Sequence, residues 1–200
     1  MATLTIETDL DELFDLALAT GRENLAAMSL LDTIHTEYFG TPVPHPISIG
    51  VRKRPGIWVT GHDLADLDWL LEQTRNTGID VYTHSEMIAA HYYPKLFAHE
   101  HLVGNYGNAW WRQDHEFATF NGPIIVTSNC IIPVADAYRE RIFTTGVAGY
   151  PGDDDGQLAS RCVNPFNILI AVRGRVSIQK LDSHSIRKEW DWRACDSSAQ

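Results

Sequence analysis

The chain has 200 residues, 44% of them hydrophobic, enough to bury the core of one domain with a small appendage. Its formal charge of -10 argues against nucleic acid or an anionic membrane surface as a main partner, since both reward basic patches. The start, MATLTIETDLDELF, carries neither a basic nor an apolar leader segment, and all apolar runs are shorter than a membrane span. A cytoplasmic location is expected.

Leu10, Leu13, Phe14, Leu16, Ala17 and Leu18 mark the apolar side of a helix, with Thr8 or Asp9 at its start and Gly21 at its end. A second helix is expected over Asn24–Tyr38, with Leu25, Met28, Leu31 and Ile34 on one face. Gly40–Pro46, with three prolines, reads as a connector. The rhythm then changes. Gly56–Thr60 (GIWVT) is a short apolar strand. Leu64–Gln73 is a helix with Leu64, Leu67, Leu70 and Leu71 inward and Asp63, Asp66, Asp68 and Glu72 outward. Ile79–Thr83 (IDVYT) is a strand, Met87–Phe97 a helix made irregular by Pro94, and His101–Val103 a short strand. Trp110–Phe120 is helical. Pro123–Ser128 and Ile142–Thr145 are further strands.

Apolar strands alternating with amphipathic helices indicate a parallel sheet covered on both faces, with right-handed crossovers. The expected fold class is therefore α/β, doubly wound with a mostly parallel sheet, preceded by two helices. The expected domain division is a helical lead-in over 1–45, the α/β domain over 46–152 and a divergent, unassigned tail over 153–200.

Ligands of such sheets gather beyond the carboxyl ends of the strands. His62 follows GIWVT, Glu86 follows IDVYT, and Cys130 follows PIIVTS. A thiolate favours iron–sulfur centres or zinc, imidazole suits iron, copper or zinc, and a carboxylate suits an iron that also carries oxygen. Each residue also has a bland reading. A histidine after a strand is commonly a loop residue, a glutamate at a helix start complements the helix dipole, and a cysteine fills small buried spaces. The set alone does not decide between a mononuclear metal and a cluster.

The three cysteines, Cys130, Cys162 and Cys195, form neither a C-x-x-C pair nor a disulfide framework, so any metal must be gathered from distant residues. His84, His91, His99, His101 and His115 read as surface and loop histidines, with His99 and His101 a weaker zinc pair. Trp110 and Trp111 read as packing residues. Gly146, Gly149 and Gly152 form no dinucleotide-binding fingerprint, and neither a nucleophile elbow nor a Walker loop occurs.

The runs TGHDL (Thr60–Leu64), LLEQT (Leu70–Thr74), DVYTHSEM (Asp80–Met87), AHYYP (Ala90–Pro94), HLVGNYGNAWW (His101–Trp111), FNGPI (Phe120–Ile124), TSNC (Thr127–Cys130) and RIFTTGVAGYPG (Arg141–Gly152) resemble, in order, successive blocks of the hybrid-cluster proteins, the hydroxylamine reductase family. The resemblance covers about two thirds of the chain. It implies an iron–sulfur–oxygen hybrid cluster with His62, Glu86 and Cys130 among its ligands. It also implies reduction of hydroxylamine, or a related small N–O substrate, to ammonia and water with electrons from an unidentified donor. THSEM favours this family over the architecturally similar nickel–iron carbon monoxide dehydrogenases.

The family's N-terminal cysteine motif for a second iron–sulfur cluster has no counterpart here. Nor do the family's later cysteines, glutamate and lysine. The chain is therefore expected to be a fragment, carrying part of the site and inactive alone. A non-catalytic α/β interaction module and a mononuclear metal protein using the same three residues are the alternatives.

Overall fold

The computed structural model describes residues 9–145 and, for the backbone, 162–163. Apart from Cys162–Val163, the tail left unassigned over 153–200 lies outside these residues. The described chain divides into two compact units. The first holds the N-terminal helix and the Tyr93–Lys95 segment, and the second holds the sheet.

In the first unit the two expected helices are one: α1 runs without interruption over Leu10–Phe39. Asp9 caps it, its Oδ1 accepting from Asp11 N–H at 2.9 Å. Gly21 costs only about 1 kcal/mol inside a helix, too little to break 30 residues with no proline. The helix ends at Gly40 (φ +92), which packs against Pro94. Phe39 is buried, and its ring meets Tyr93 edge-on at 5.9 Å.

In the second unit the strands are β1 Gly56–Thr60, β2 Asp80–Thr83, β3 Leu102–Asn105, β4 Ile124–Val126, β5 Ile142–Thr145 and β6 Cys162–Val163. They pair in parallel throughout, in the order β3-β2-β1-β4-β5-β6. This is the doubly wound arrangement, and its order reverses between β1 and β4. The α/β expectation is met. β6 adds a strand in the stretch left unassigned by sequence.

β1 to β2 passes through α2, Leu64–Thr74. Leu67, Leu70 and Leu71 of α2 are fully buried, each contributing about 1.5–3 kcal/mol in removed apolar surface. Asp66 and Asp68, expected outward, are buried as well. Thr145 Oγ1 of β5 donates to Asp66 Oδ2 at 2.5 Å, and burial pushes the Asp66 carboxyl up. The helix expected at Met87–Phe97 splits into a 3-10 helix, Ser85–Tyr92, and a short α3, Pro94–Phe97. The proline supplies no amide donor, so it begins a helix rather than continuing one.

A 3-10 turn, Trp110–Arg112, leads into α4, Gln113–Thr119. Contrary to expectation, the two tryptophans are not core: both are exposed, their rings edge-on at 5.5 Å. A short helix unforeseen from sequence, α5 Asp136–Arg139, precedes β5. Trp58 anchors the centre of the sheet. It is fully buried with Phe117, Tyr138 and Ile142, and its Nε1–H donates to the carbonyls of Thr83 (3.1 Å) and Tyr106 (3.0 Å). Among the described residues no helix is long and apolar enough to cross a membrane.

Candidate metal centre

Parallel pairing sets β2, β1 and β4 side by side, so their carboxyl ends form one row. The chain leaves each of these ends through a left-handed residue: Gly61 (φ +110) after β1, Ser85 (φ +52) after β2 and Cys130 (φ +68) after β4. Positive φ is uncommon for non-glycine residues, and such backbone strain concentrates at functional sites. The consequence is convergence. One donor atom each of His62, Glu86 and Cys130 lies within 4.8 Å of the other two. The residues singled out at the strand ends are thus brought together at the reversal of strand order.

His62 is held at both of its ends. Its backbone N–H donates to Ser128 Oγ at 2.8 Å, and its Nδ1 lies 2.9 Å from the same hydroxyl. Its Nε2 lies 2.5 Å from Glu86 Oε2. Ser128 can donate to Nδ1 or accept from it, so either ring tautomer is satisfied on that side. With the proton on Nδ1, the Nε2 lone pair is free to bind a metal. Both side chains are partly open to solvent, at 40% and 58% exposure. Cys130 is half-buried with a free thiol. Burial first and the Glu86 carboxylate second push that thiol above its ordinary value.

Behind the row stands a buried polar layer. His84, expected at the surface, is fully buried. Its Nδ1 lies 3.0 Å from Thr60 Oγ1 and its Nε2 lies 3.1 Å from Glu116 Oε2. Burial holds its imidazole below the ordinary value, opposed by the hydrogen bond and charge of Glu116. It fixes the backbone two residues before Glu86. His91 is also buried, with Nε2 at 2.9 Å from Thr83 Oγ1. Gln113, 1% exposed, reaches the Cys130 loop. TSNC held the Ser128 hydroxyl in plain view. Nothing in the local sequence pointed to Gln113.

His99 and His101 do not form a metal pair with each other. Their rings meet edge-on at 5.5 Å, and His101 Nε2 is engaged by Thr74 Oγ1 and the Leu71 carbonyl. His99 instead joins Asp68 and Glu72. Glu72 Oε1 already receives Arg75 Nη2 at 2.5 Å, with His99 Nε2 at 3.6 Å, so this group is organised as an ion-pair cluster. His115 is exposed on α4.

An open parallel α/β sheet with sulfur, nitrogen and oxygen donors gathered at its switch point defines the general class. More specifically, the profile of the Prismane/CO dehydrogenase family matches residues 1–164, and the chain belongs to that family. It is 53% identical to a hydroxylamine reductase of Clostridium tetani (strain Massachusetts / E88), over 76% of this chain and 26% of that protein. It is 54% identical to one of Chlorobaculum tepidum, over 76% of this chain and 28% of that protein. With a hydroxylamine reductase of Clostridium perfringens it shares 45% identity, over 95% of this chain and 39% of the relative. The resemblance inferred from TGHDL through RIFTTGVAGYPG is borne out. The chain spans between about a quarter and two fifths of the length of these relatives.

Proposed function

We propose that this chain provides the His62, Glu86 and Cys130 share of an iron–sulfur–oxygen cluster in a hydroxylamine reductase, and that it turns over no hydroxylamine on its own. The observation that carries the proposal is the approach of three donors of graded hardness to within 4.8 Å of one another at three adjacent strand ends. The donor chemistry fits such a group: thiolate for a sulfur-bridged iron, imidazole and carboxylate for irons that also carry oxygen.

When bound, the cluster supplies electrons and a Lewis-acidic site for the N–O bond, so that hydroxylamine, two electrons and two protons yield ammonia and water. The chain's own residues prepare for it. In the tautomer with the proton on Nδ1, Ser128 Oγ would accept from His62 Nδ1–H and leave the Nε2 lone pair for a metal. A metal taken up at Nε2 would displace the contact that Nε2 now makes with Glu86 Oε2, leaving the Glu86 carboxylate free to turn toward the same point. Cys130 must lose its proton to ligate. Burial and the Glu86 carboxylate raise its thiol, so loading releases a proton and weakens as pH falls. In this reading the cluster takes its electrons from a separate donor, and further ligands complete it beside His62, Glu86 and Cys130.

The same donor set also serves a single metal ion with water completing its shell, because His62 and Glu86 are both open to solvent. Anaerobic reconstitution with iron and sulfide, followed by iron, sulfide and zinc analysis, separates the readings. A variant with His62→Ala, Glu86→Ala and Cys130→Ala is the control. Iron and sulfide held by the parent and lost in the variant support the cluster reading. Zinc alone, lost in the variant, supports a mononuclear site. Equal metal in both leaves a non-catalytic α/β module. Hydroxylamine turnover by the purified chain refutes the claim that it is inactive alone.

A further inference from the structure

Cys130 presents a mechanical problem. β4 ends at Val126 and its last bond to β1 runs from Thr127 N–H to the Thr60 carbonyl (3.0 Å), so among the described residues no ladder hydrogen bond holds residues 128–130. The turn nonetheless places Cys130 at φ +68, a conformation that a non-glycine residue keeps only when its surroundings impose it. One side chain bonds the backbone on both sides of this turn. Gln113, at the start of α4 and 1% exposed, donates its Nε2–H to the Cys130 carbonyl. Its Oε1 accepts from Ile132 N–H at 3.2 Å.

A primary amide offers one carbonyl and one N–H donor face, the same pair a peptide group offers. Residues 130 and 132 are two apart, the spacing at which a strand turns one edge toward its neighbour. The Gln113 amide therefore stands in for a missing strand at the end of β4. Reversing the amide would set oxygen against the Cys130 carbonyl and nitrogen against the Ile132 N–H, so only one orientation satisfies both bonds.

We infer that Gln113 is a positioning residue for Cys130, locking the left-handed turn that aims Sγ at His62 and Glu86. The inference deepens the proposed function, since it explains how one donor of that site is presented. It stands on hydrogen bonds that do not involve the other two donors.

The test uses the full chain carrying Cys162→Ser and Cys195→Ser, leaving Cys130 as its only thiol. Gln113→Met keeps the length of the side chain and removes the amide. Gln113→Glu keeps the acceptor for Ile132 and loses the donor to Cys130. Ile79→Ala, a buried position immediately before β2 and away from the strand carboxyl ends, lowers stability without touching the loop and serves as control. Two quantities are read: the rate of Cys130 alkylation by iodoacetamide, and the thiolate-to-cobalt charge-transfer band on titration with cobalt(II).

Gln113→Met is expected to raise the alkylation rate severalfold and to weaken cobalt binding on the order of tenfold, with a fainter thiolate band. Gln113→Glu should fall between it and the parent, and Ile79→Ala should match the parent. An unchanged alkylation rate in Gln113→Met overturns the inference, and so does an equal change in Ile79→Ala. A parent that binds no cobalt through its thiolate counts against the proposed metal site instead, while the alkylation comparison still decides the role of Gln113.

Discussion

Substituting Gly61 by alanine tests the geometry of the strand-end row directly. A Cβ at Gly61 would stand 2.5 Å from Thr127 Oγ1 and 2.7 Å from Ser128 N. To restore an ordinary contact of 3.4 Å, the end of β4 must withdraw by about 0.7 Å, the difference between 3.4 and 2.7. That movement strains the bond from Thr127 N–H to the Thr60 carbonyl (3.0 Å) and the one from His62 N–H to Ser128 Oγ (2.8 Å). Losing both costs about 2 kcal/mol, and the φ of +110 adds about 1–3 kcal/mol for any side chain. The sum of about 4 kcal/mol corresponds to a fall in Tm of about 8–16 °C for a chain of this size.

Gly78 isolates the backbone part of that cost. It has φ +77, and none of the described residues places a heavy atom within 4 Å of where its Cβ would be. Gly78→Ala is therefore expected to cost only about 1–2 kcal/mol, from conformation alone. Both variants would be compared by urea unfolding followed by circular dichroism. If Gly61→Ala costs no more than Gly78→Ala, the close approach of β1 and β4 beyond their strand ends is not what fixes His62.

Two further outcomes follow from single side chains. Asp63→Ala removes the carboxylate that accepts from Ala65 N–H (2.9 Å) and Asp66 N–H (3.1 Å) at the start of α2, and should lower stability by about 1 kcal/mol in urea unfolding; no loss would mean the cap is idle. Burial, with the charge of His45 second, lowers His91 from 6.5 to about 4. The unfolded chain then takes up a proton at His91 as pH falls through 6.5, and the folded chain does so only near 4. The resulting stability is fully present above the unfolded value and is lost toward the folded one, by about 3 kcal/mol in all. Urea unfolding at about pH 7 and about pH 4.5 should show a smaller loss for His91→Gln than for the parent, and parallel losses would refute the assignment.

The sheet was legible because buried parallel strands are plain apolar runs: GIWVT, PIIVTS and IFTT leave little room for another reading. The three donors were legible for a related reason, since an open sheet has one end where ligands gather. Most of the errors share a physical origin in tertiary partners. Asp66 fits an outward position by helical period, yet Thr145 comes from another strand to bond it. His84 is buried because Thr60 and Glu116 satisfy both of its nitrogens, and neither partner is a sequence neighbour. Gly21 looked like a stop signal, but one glycine does not outweigh the propagation of a long helix. Gln113 was invisible for the same reason as Asp66: its partners lie 17 and 19 residues away.

The parallel register also separates two lengths that the sequence shows as one. The 24 residues from His62 to Glu86 measure the α2 crossover. The 44 from Glu86 to Cys130, 130 minus 86, measure an excursion to the outer strand β3 and back to β4. Neither sets the gap between donors, which follows from the width of adjacent strands, about 4.8 Å for each. A crossover could therefore lengthen by whole helical turns while its donor stayed where it is. A one-residue slip of β4 against β1 would move Cys130 by about 3.3 Å and dissolve the row. Tolerance to insertion and intolerance to slippage are thus built into the same few strands.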